Sequence, residues 1–410
     1  MGTKDKVKQT TNTCEQQTII NYRDACSVCD AKDLSEILDL PNLPITGLFS
    51  KDKPVNFLSG FNQSLLWCPK CGHGQLRNQI NPSILYDSSK YSFKTSISAT
   101  ARIGTENFIT FLKRVSLKKK YNCILDVGCN DLYLLEKLEY LGKYKVGIDP
   151  IWRTKVTDNV FESTNVIGET IEEANLKNLL PSKPDLILCR HTLEHIYNPL
   201  QILRKLIECS ADDALFVFEL PSFESMIERL RFDQIFHEHL QYFSKSSFEE
   251  MLINSGANVI EFDENYHDWG ALLIAFKKDS GQRKNNIFSF SERNICQRLD
   301  IFRKQLESTY EIIRTLKPDS LYGYGAALML PVLAYHFKSD LSFLAGIIDD
   351  DKNKDGIYYQ NLPMQIIHSS KIKELEKLSI LITALDNIKP IMSKLLSVRP
   401  KHIIYPFNLI

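Results

Sequence analysis

The sequence predicts an α/β protein in three parts: a small cysteine-bound N-terminal lobe, a doubly wound parallel sheet with helices on both faces, and a second α/β domain of similar layout. Three observations predict it. Two Cys-x-x-Cys pairs stand near the N-terminus, at Cys26/Cys29 and Cys68/Cys71. Short apolar strands then alternate with amphipathic stretches from Ile124 to Leu220. The alternation restarts at Leu321, after a long helical stretch.

The chain has 410 residues, room for about two or three domains. It is 43% hydrophobic and 24% charged, a globular composition. Lys plus Arg and Asp plus Glu balance at 50 each, so no global field favours nucleic acid or an anionic membrane, and neither partner is expected. No apolar run approaches the roughly 20 residues that cross a bilayer, and Met-Gly-Thr-Lys-Asp-Lys lacks the apolar core of a signal peptide. A cytoplasmic protein is expected. The parts divide as a leader over 1–20, a zinc lobe over 21–80, the main α/β domain over 81–290 and a last domain over 291–410.

Ten cysteines are too few for a disulfide scaffold in a chain of this length. Their spacing is more informative than their number. In each Cys-x-x-Cys pair the two-residue spacer lets both sulfurs face one centre about 2.3 Å away, and four thiolates with no open position suit a structural Zn²⁺. Cys26, Cys29, Cys68 and Cys71 are the expected ligands. His73 is expected on the surface of the second knuckle. Cys123, Cys129, Cys189 and Cys209 read as small core residues.

From Asn78 to Lys120 the pattern predicts helix, with Ile97, Ala101, Phe108, Phe111 and Leu112 on one face. The chain then reads Ile-Leu-Asp-Val-Gly-Cys-Asn-Asp over Ile124–Asp131, and a second strand closes at Asp149. A buried strand ends at Asp126, the turn at Gly128 leaves space for a ligand, and a helix starts near Asp131 with its backbone donors open. Asp149 is placed to accept both hydroxyl protons of a ribose. The turn lacks the three-glycine pyrophosphate cradle, so a cofactor with a ribose and no phosphates fits better. An ordinary βαβ turn is the alternative. The segment resembles the first two motifs of class I S-adenosylmethionine methyltransferases, in which the glycine turn passes under the amino-acid part and the acid holds the ribose. Asp126, Gly128, Asn130, Asp131 and Asp149 are the candidate cofactor contacts.

A helix near Glu169–Leu179, a strand at Asp185–Cys189, a helix near Leu200–Ile207 and a strand at Ala214–Leu220 continue the alternation. His191 and His195 follow the Asp185 strand, where ligands of open α/β sheets bind, and either could line the cleft or be a satisfied polar residue at a strand end. His191 is counted with the cofactor contacts.

Phe232–Phe243 holds the densest chemistry, Phe-Asp-Gln-Ile-Phe-His-Glu-His-Leu-Gln-Tyr-Phe. His237 and His239 are two apart, whereas the zinc-protease pattern needs histidines four apart on a helix, so a metal is not expected of this pair. Proton transfer is the better use, because an imidazole titrates near neutrality and charged groups wrapped in Phe and Ile commonly serve a pocket.

From Ser291 to Lys317 a linker helix is expected, with Ile295, Leu299, Phe302, Leu306 and Ile313 apolar. Leu321–Ala326 reads as strand, Gly-x-Gly turn and helix start, Phe343–Asp349 as the next strand, and Gln365–Ile367, Ser379–Thr383 and His402–Tyr405 as further strands. The glycine pair alone is a weak ligand signal. Asp349, Asp350 and Asp351 with Lys352 and Lys354 read mainly as a solvated face.

Taken in order, the double knuckle, the Gly128 turn, Glu219-Leu220-Pro221, the His-Glu-His segment and Gly323-Tyr324-Gly325-Ala326 resemble the three-part C-methyltransferases that act on nucleotide-linked keto-deoxysugars. The resemblance runs from about Cys26 to the C-terminus. It implies a zinc lobe, a class I methyltransferase domain and a C-terminal Rossmann-like domain clasping the sugar nucleotide, with S-adenosylmethionine as methyl donor. By position His239 is the implied base and Glu238 its neighbour. An enolate formed next to a ketone also needs its oxygen stabilised, and His237 or His195 is the expected group for that.

The chain departs from that family in places. Leu132 stands where glycine commonly follows the acid, Phe236 replaces a tyrosine, and His267–Leu273 replaces a Gly-Gly-Ser-Leu-Arg stretch. These changes leave open an O-methyltransferase, or a catalytically weak protein that binds sugar nucleotides.

Overall fold

The computed structural model describes residues 19–55, 57, 59–85, 94–154, 164–266, 270–279, 290–316 and 320–407. His267, Asp268 and Trp269, part of the altered acceptor stretch, lie outside them, as does the leader up to residue 18.

The N-terminal lobe is an antiparallel sheet of Ser35–Leu43, Phe61–Trp67 and Gly74–Leu76, completed by Gln241–Tyr242 from far along the chain. The residues just after His239 thus form the edge strand of the cysteine lobe. Asn78–Ile80, expected as helix, is a strand paired with Ile19–Tyr22. The described helices of this region are Pro82–Leu85 and Ala99–Val115, the second opened by Ser98, whose side chain accepts from the Ala101 amide. Phe108, Phe111, Leu112 and Val115 make its buried stripe. Ile97 lies before the helix and is exposed.

The central sheet has seven strands: β1 Tyr121–Val127, β2 Gly142–Ile148, β3 Thr164–Ile167, β4 Leu186–Arg190, β5 Leu215–Leu220, β6 Ala257–Asn265 and β7 Ala271–Lys278. Their spatial order is β6-β7-β5-β4-β1-β2-β3, parallel except for β7. This is the doubly wound sheet that the alternation of strands and helices predicts, closed on one side by an antiparallel strand. β4 and β5 are apolar almost end to end because helices cover both faces of the sheet. The helix Pro199–Cys209 buries Ile202, Leu203, Leu206 and Cys209 along one side. The helix expected at Glu169–Leu179 is shorter, Leu176–Leu179, and the one expected at Asp131 starts at Tyr133.

A capping box at Ser291 starts the linker helix Glu292–Arg314, and all five expected apolar positions are buried. It leads to a parallel sheet of Leu321–Tyr324, Ile347–Asp349, Ile366–His368, Ser379–Ile382 and His402–Ile404, ordered third, second, first, fourth, fifth. Asp350 and Asp351 are exposed, as a solvated face requires, while Asp349 is half-buried. Asp349 accepts from the Ala326 amide at 2.6 Å, and Asp350 from the Tyr324 hydroxyl at 3.1 Å.

Tyr358–Tyr359 pairs with Phe49–Ser50, joining the last domain to the lobe. The buried Arg231 grips Asp233 and Asp386, joining it to the segment that precedes His239. No described helix is long and apolar enough to cross a membrane.

Candidate active site and thiolate cage

The four lobe cysteines converge. Cys26 and Cys71 sulfurs lie 3.6 Å apart, as do those of Cys29 and Cys68, and all four fall within 4.8 Å of one another. Thiolates 2.3 Å from a tetrahedral ion would stand about 3.8 Å apart, so the set fits Zn²⁺. Backbone amides of Ala31 and Cys71 reach the sulfurs of Cys29 and Cys68, and Gly72, at φ 75°, makes the tight turn of the second knuckle. All four positions are sulfur, so such an ion would be structural.

At the carboxyl end of β1 the chain turns through Gly128, at φ 76°. A Cβ there would lie 1.9 Å from Thr192 Oγ1. The expected role for this glycine is clearance for a ligand; its first effect is to let the turn touch the loop after β4. Asp149 Oδ2 accepts from the Asn130 amide at 2.9 Å, and Asp149 Oδ1 from the Ile151 amide at 3.0 Å. The Trp152 indole donates to the Asn130 carbonyl at 2.6 Å, and Asp131 accepts from the Ser96 amide and hydroxyl at 3.0 and 2.6 Å. Asp149 therefore fixes the turn as well as ending β2. Burial pushes the Asp126 carboxyl up to about 7 against the pull of Arg190.

Leu132 adopts the left-handed conformation at φ 68°, which costs a non-glycine residue roughly 1–2 kcal/mol and accounts for a glycine being easier there. Its side chain has no exposed surface and packs in the core with Cys129, Leu134 and Leu135.

The loop after β4 carries His191, Glu194 and His195. Glu194 is 1% exposed, and neither of its oxygens has a hydrogen-bond partner among the described residues. His191 Nδ1 stands 3.6 Å and His195 Nε2 4.0 Å from its Oε1. The His195 and His239 rings meet edge to face at 4.8 Å between centroids, and Phe236 lies against His239 at 4.1 Å. Burial works to raise the Glu194 carboxyl, but the imidazoles of His191, His195 and His239 hold it below its ordinary value. Burial, then the neighbouring His195, holds His239 down to about 3.

The two other candidates of the His-Glu-His segment point elsewhere. His237 is fully buried and donates from Nε2 to the Leu43 carbonyl at 2.8 Å; burial holds it down to about 4. Glu238 accepts from Thr46 at 2.8 Å, and burial pushes its carboxyl up to about 7. Both side chains reach into the lobe. His237 is therefore placed to hold the segment, not to stabilise an enolate oxygen. The main chain of Glu238 faces the other way, its carbonyl accepting from His195 Nδ1 at 2.8 Å.

Gln241 ties these parts together. Its Oε1 accepts from Ser27 Oγ at 2.7 Å and from His73 Nε2 at 2.9 Å, while its Nε2 donates to the Ile196 and Tyr197 carbonyls at 2.8 and 3.1 Å. A buried amide has four hydrogen-bonding places, and here all four are used. Ser27 lies between two of the cysteines, and Ile196 follows His195. His73, expected on the surface, is fully buried because it supplies one of these bonds.

The fold thus brings His191, His195 and His239 together beside the Gly128 turn and sends His237 and the Glu238 carboxylate into the lobe. Sequence reading missed Glu194 and Gln241. The run His191-x-x-Glu194-His195 carries a signal for the first; Gln241 acts through partners remote in the chain, so nothing local marks it. Further out, Glu219 is held by Arg190 and by Asn265 at 2.6 Å, which fixes the carboxyl end of β5.

Residues 101–261 match a family described as "Methyltransferase domain", and residues 26–86 one described as "Putative zinc binding domain". The C-methyltransferase NovU of Streptomyces niveus is 24% identical over 260 residues, covering 63% of this chain. The match spans 61% of that protein's length. Among solved structures, the N-methyltransferase NodS of Bradyrhizobium japonicum WM9 is 14% identical, with a TM-score of 0.34 over 45% of this chain and 98% of its own. The plantazolicin methyltransferase BpumL, in complex with SAH, is 16% identical with a TM-score of 0.35, over 48% of this chain and 90% of its own.

Proposed function

We propose that this chain, an S-adenosylmethionine-dependent methyltransferase with a zinc lobe, methylates the carbon next to the ketone of a nucleotide-linked keto-deoxysugar. The observation that carries this reading is the contact of Gly128 with Thr192, which sets the cofactor turn against the loop bearing His191 and His195, with His239 facing them. Donor and base stand side by side. The similarity to NovU, a C-methyltransferase, supports transfer to carbon.

In the proposed reaction the acceptor loses a proton from the carbon beside its ketone, the enolate carbon attacks the methyl carbon of the donor, and the sulfur leaves as a neutral thioether. Asp126, Gly128, Asn130, Asp131 and Asp149 surround the donor, with His191 at its edge. His239 takes the proton: its depressed basicity keeps it unprotonated through neutral pH, and Glu194 offsets part of that depression. His195 is fixed through Nδ1 by the Glu238 carbonyl, and it stabilises the enolate oxygen when Nε2 also carries a proton and donates from there. Glu238 and His237 hold the segment from the lobe side.

Incubation of the protein with labelled S-adenosylmethionine and a panel of nucleotide-linked keto-sugars tests this, with magnetic resonance locating the new methyl. Label on carbon supports the reading, and label on oxygen replaces it with O-methylation. Tight donor binding by calorimetry with no transfer to any keto-sugar would sink the substrate class.

A further inference from the structure

We propose that Glu194, His195 and His239 form a binding site for a divalent transition-metal ion, separate from the four-cysteine cage. One ligand atom from each of the three lies within 4.8 Å of the others. Glu194 is almost wholly buried and both its oxygens lack hydrogen-bond partners among the described residues. A buried carboxylate left in that state is costly, so a positive charge belongs beside it.

His195 shows how that charge is approached. Its Nδ1 meets the Glu238 carbonyl at 2.8 Å, and a carbonyl only accepts, so Nδ1 carries the hydrogen. Nε2, the ring's other nitrogen, lies 4.0 Å from Glu194 Oε1. An imidazole whose outer N–H is held by a backbone carbonyl while its inner nitrogen faces a carboxylate has the second-shell support of a metal ligand. Bonds of 2.0–2.2 Å would set ligand atoms about 3.3–3.6 Å apart, so closure on an ion needs side-chain shifts of under about 1 Å. Two imidazoles and one carboxylate suit Zn²⁺, Co²⁺ or Ni²⁺ better than Mg²⁺ or Ca²⁺.

The consequence for activity rests on the methyl-transfer reading above. An ion in this place takes the lone pair that His239 offers as a base, so zinc inhibits. A protonated imidazole at His191, 3.6 Å from Glu194 Oε1, or at His195 is the competing source of positive charge, and counting metal separates the two.

The full-length protein, cleared of loosely held metal, is titrated with Zn²⁺ and its content measured by mass spectrometry. Two equivalents are expected in the wild type and one in Glu194→Gln and in His195→Ala, the remaining equivalent in the cysteine cage reporting that each variant is folded. A wild type that stops at one equivalent, or variants that keep both, overturns the site. Loss of at least tenfold in methyl transfer at saturating Zn²⁺, restored by a weak chelator that leaves one equivalent in the cysteine cage, is the expected effect on rate. Stimulation by the second equivalent would support the site and remove His239 from the role of base.

Discussion

Gly128 and Thr192 touch so closely that a single methyl group on the glycine would sit 1.9 Å from the threonine hydroxyl. The contact locks the turn after β1 to the loop after β4. Gly128→Ala meets both this clash and a left-handed backbone, and the two together are expected to cost about 2–4 kcal/mol. Denaturant unfolding should show the loss, and calorimetry should show weaker donor binding in whatever folded protein remains.

His239→Ala is expected to lower methyl transfer by about 10²- to 10⁴-fold, the usual range for a positioned base. Donor affinity should change little, because the Gly128 turn is untouched. Unchanged turnover on a verified acceptor would exclude His239 as the base.

Gln241→Glu keeps the shape of the side chain and reverses its chemistry. A carboxylate would face the Ile196 and Tyr197 carbonyls where the amide now donates. Each buried group left without a partner costs about 1–3 kcal/mol. Stability should fall by several kcal/mol, and in conditions where the fold survives, turnover should drop more than donor binding. Equal losses in both would show that Gln241 supports the fold in general and not the imidazole pair.

Removal of zinc, or Cys68→Ser, should disorder the lobe, because the cage supplies much of the order in so small a unit. Gln241–Tyr242 is an edge strand of that lobe, so His239 should lose its place although it ligates none of the four-cysteine zinc. Hydrogen exchange over residues 232–243 should quicken on chelation. Protection that stays unchanged there would argue that the lobe and the segment are independent.

Acid should weaken the fold through His237 and His336. Burial holds each at about 4, against about 6.5 in an unfolded chain. Between those values the unfolded chain binds protons that the native protein does not, so the stability these groups contribute is complete above about 6.5 and is lost as pH falls through about 4. Each adds a slope of up to about 1.4 kcal/mol per pH unit in that window. Unfolding of His237→Gln followed against pH should show a shallower acid limb than the wild type.

Much of the fold could be read from the sequence because its signals are local. Cys-x-x-Cys spacing, apolar runs buried on both faces and the five apolar positions of the linker helix each depend on residues a few places apart. The misreadings also have local causes. Asn78–Ile80 looked helical by periodicity, yet pairing with Ile19–Tyr22 made it a strand. His73 looked exposed because glycines and a lysine surround it, yet Gln241 drew it inside.

By itself the sequence determined the cysteine cage, the β1 turn with Asp149 behind it, and the presence of His-Glu-His in an apolar setting, since short-range geometry and composition suffice for these. Only the tertiary structure decided which imidazoles meet. His237 and His239 lie two residues apart, yet one is bound to Leu43 in the lobe and the other meets the His195 ring edge to face. It also gave Glu194 three imidazole neighbours and Leu132 a place in the core. The physical reason is that a side chain's direction and charge environment are set by the surface packed against it, and here that surface comes from strands far away in the chain.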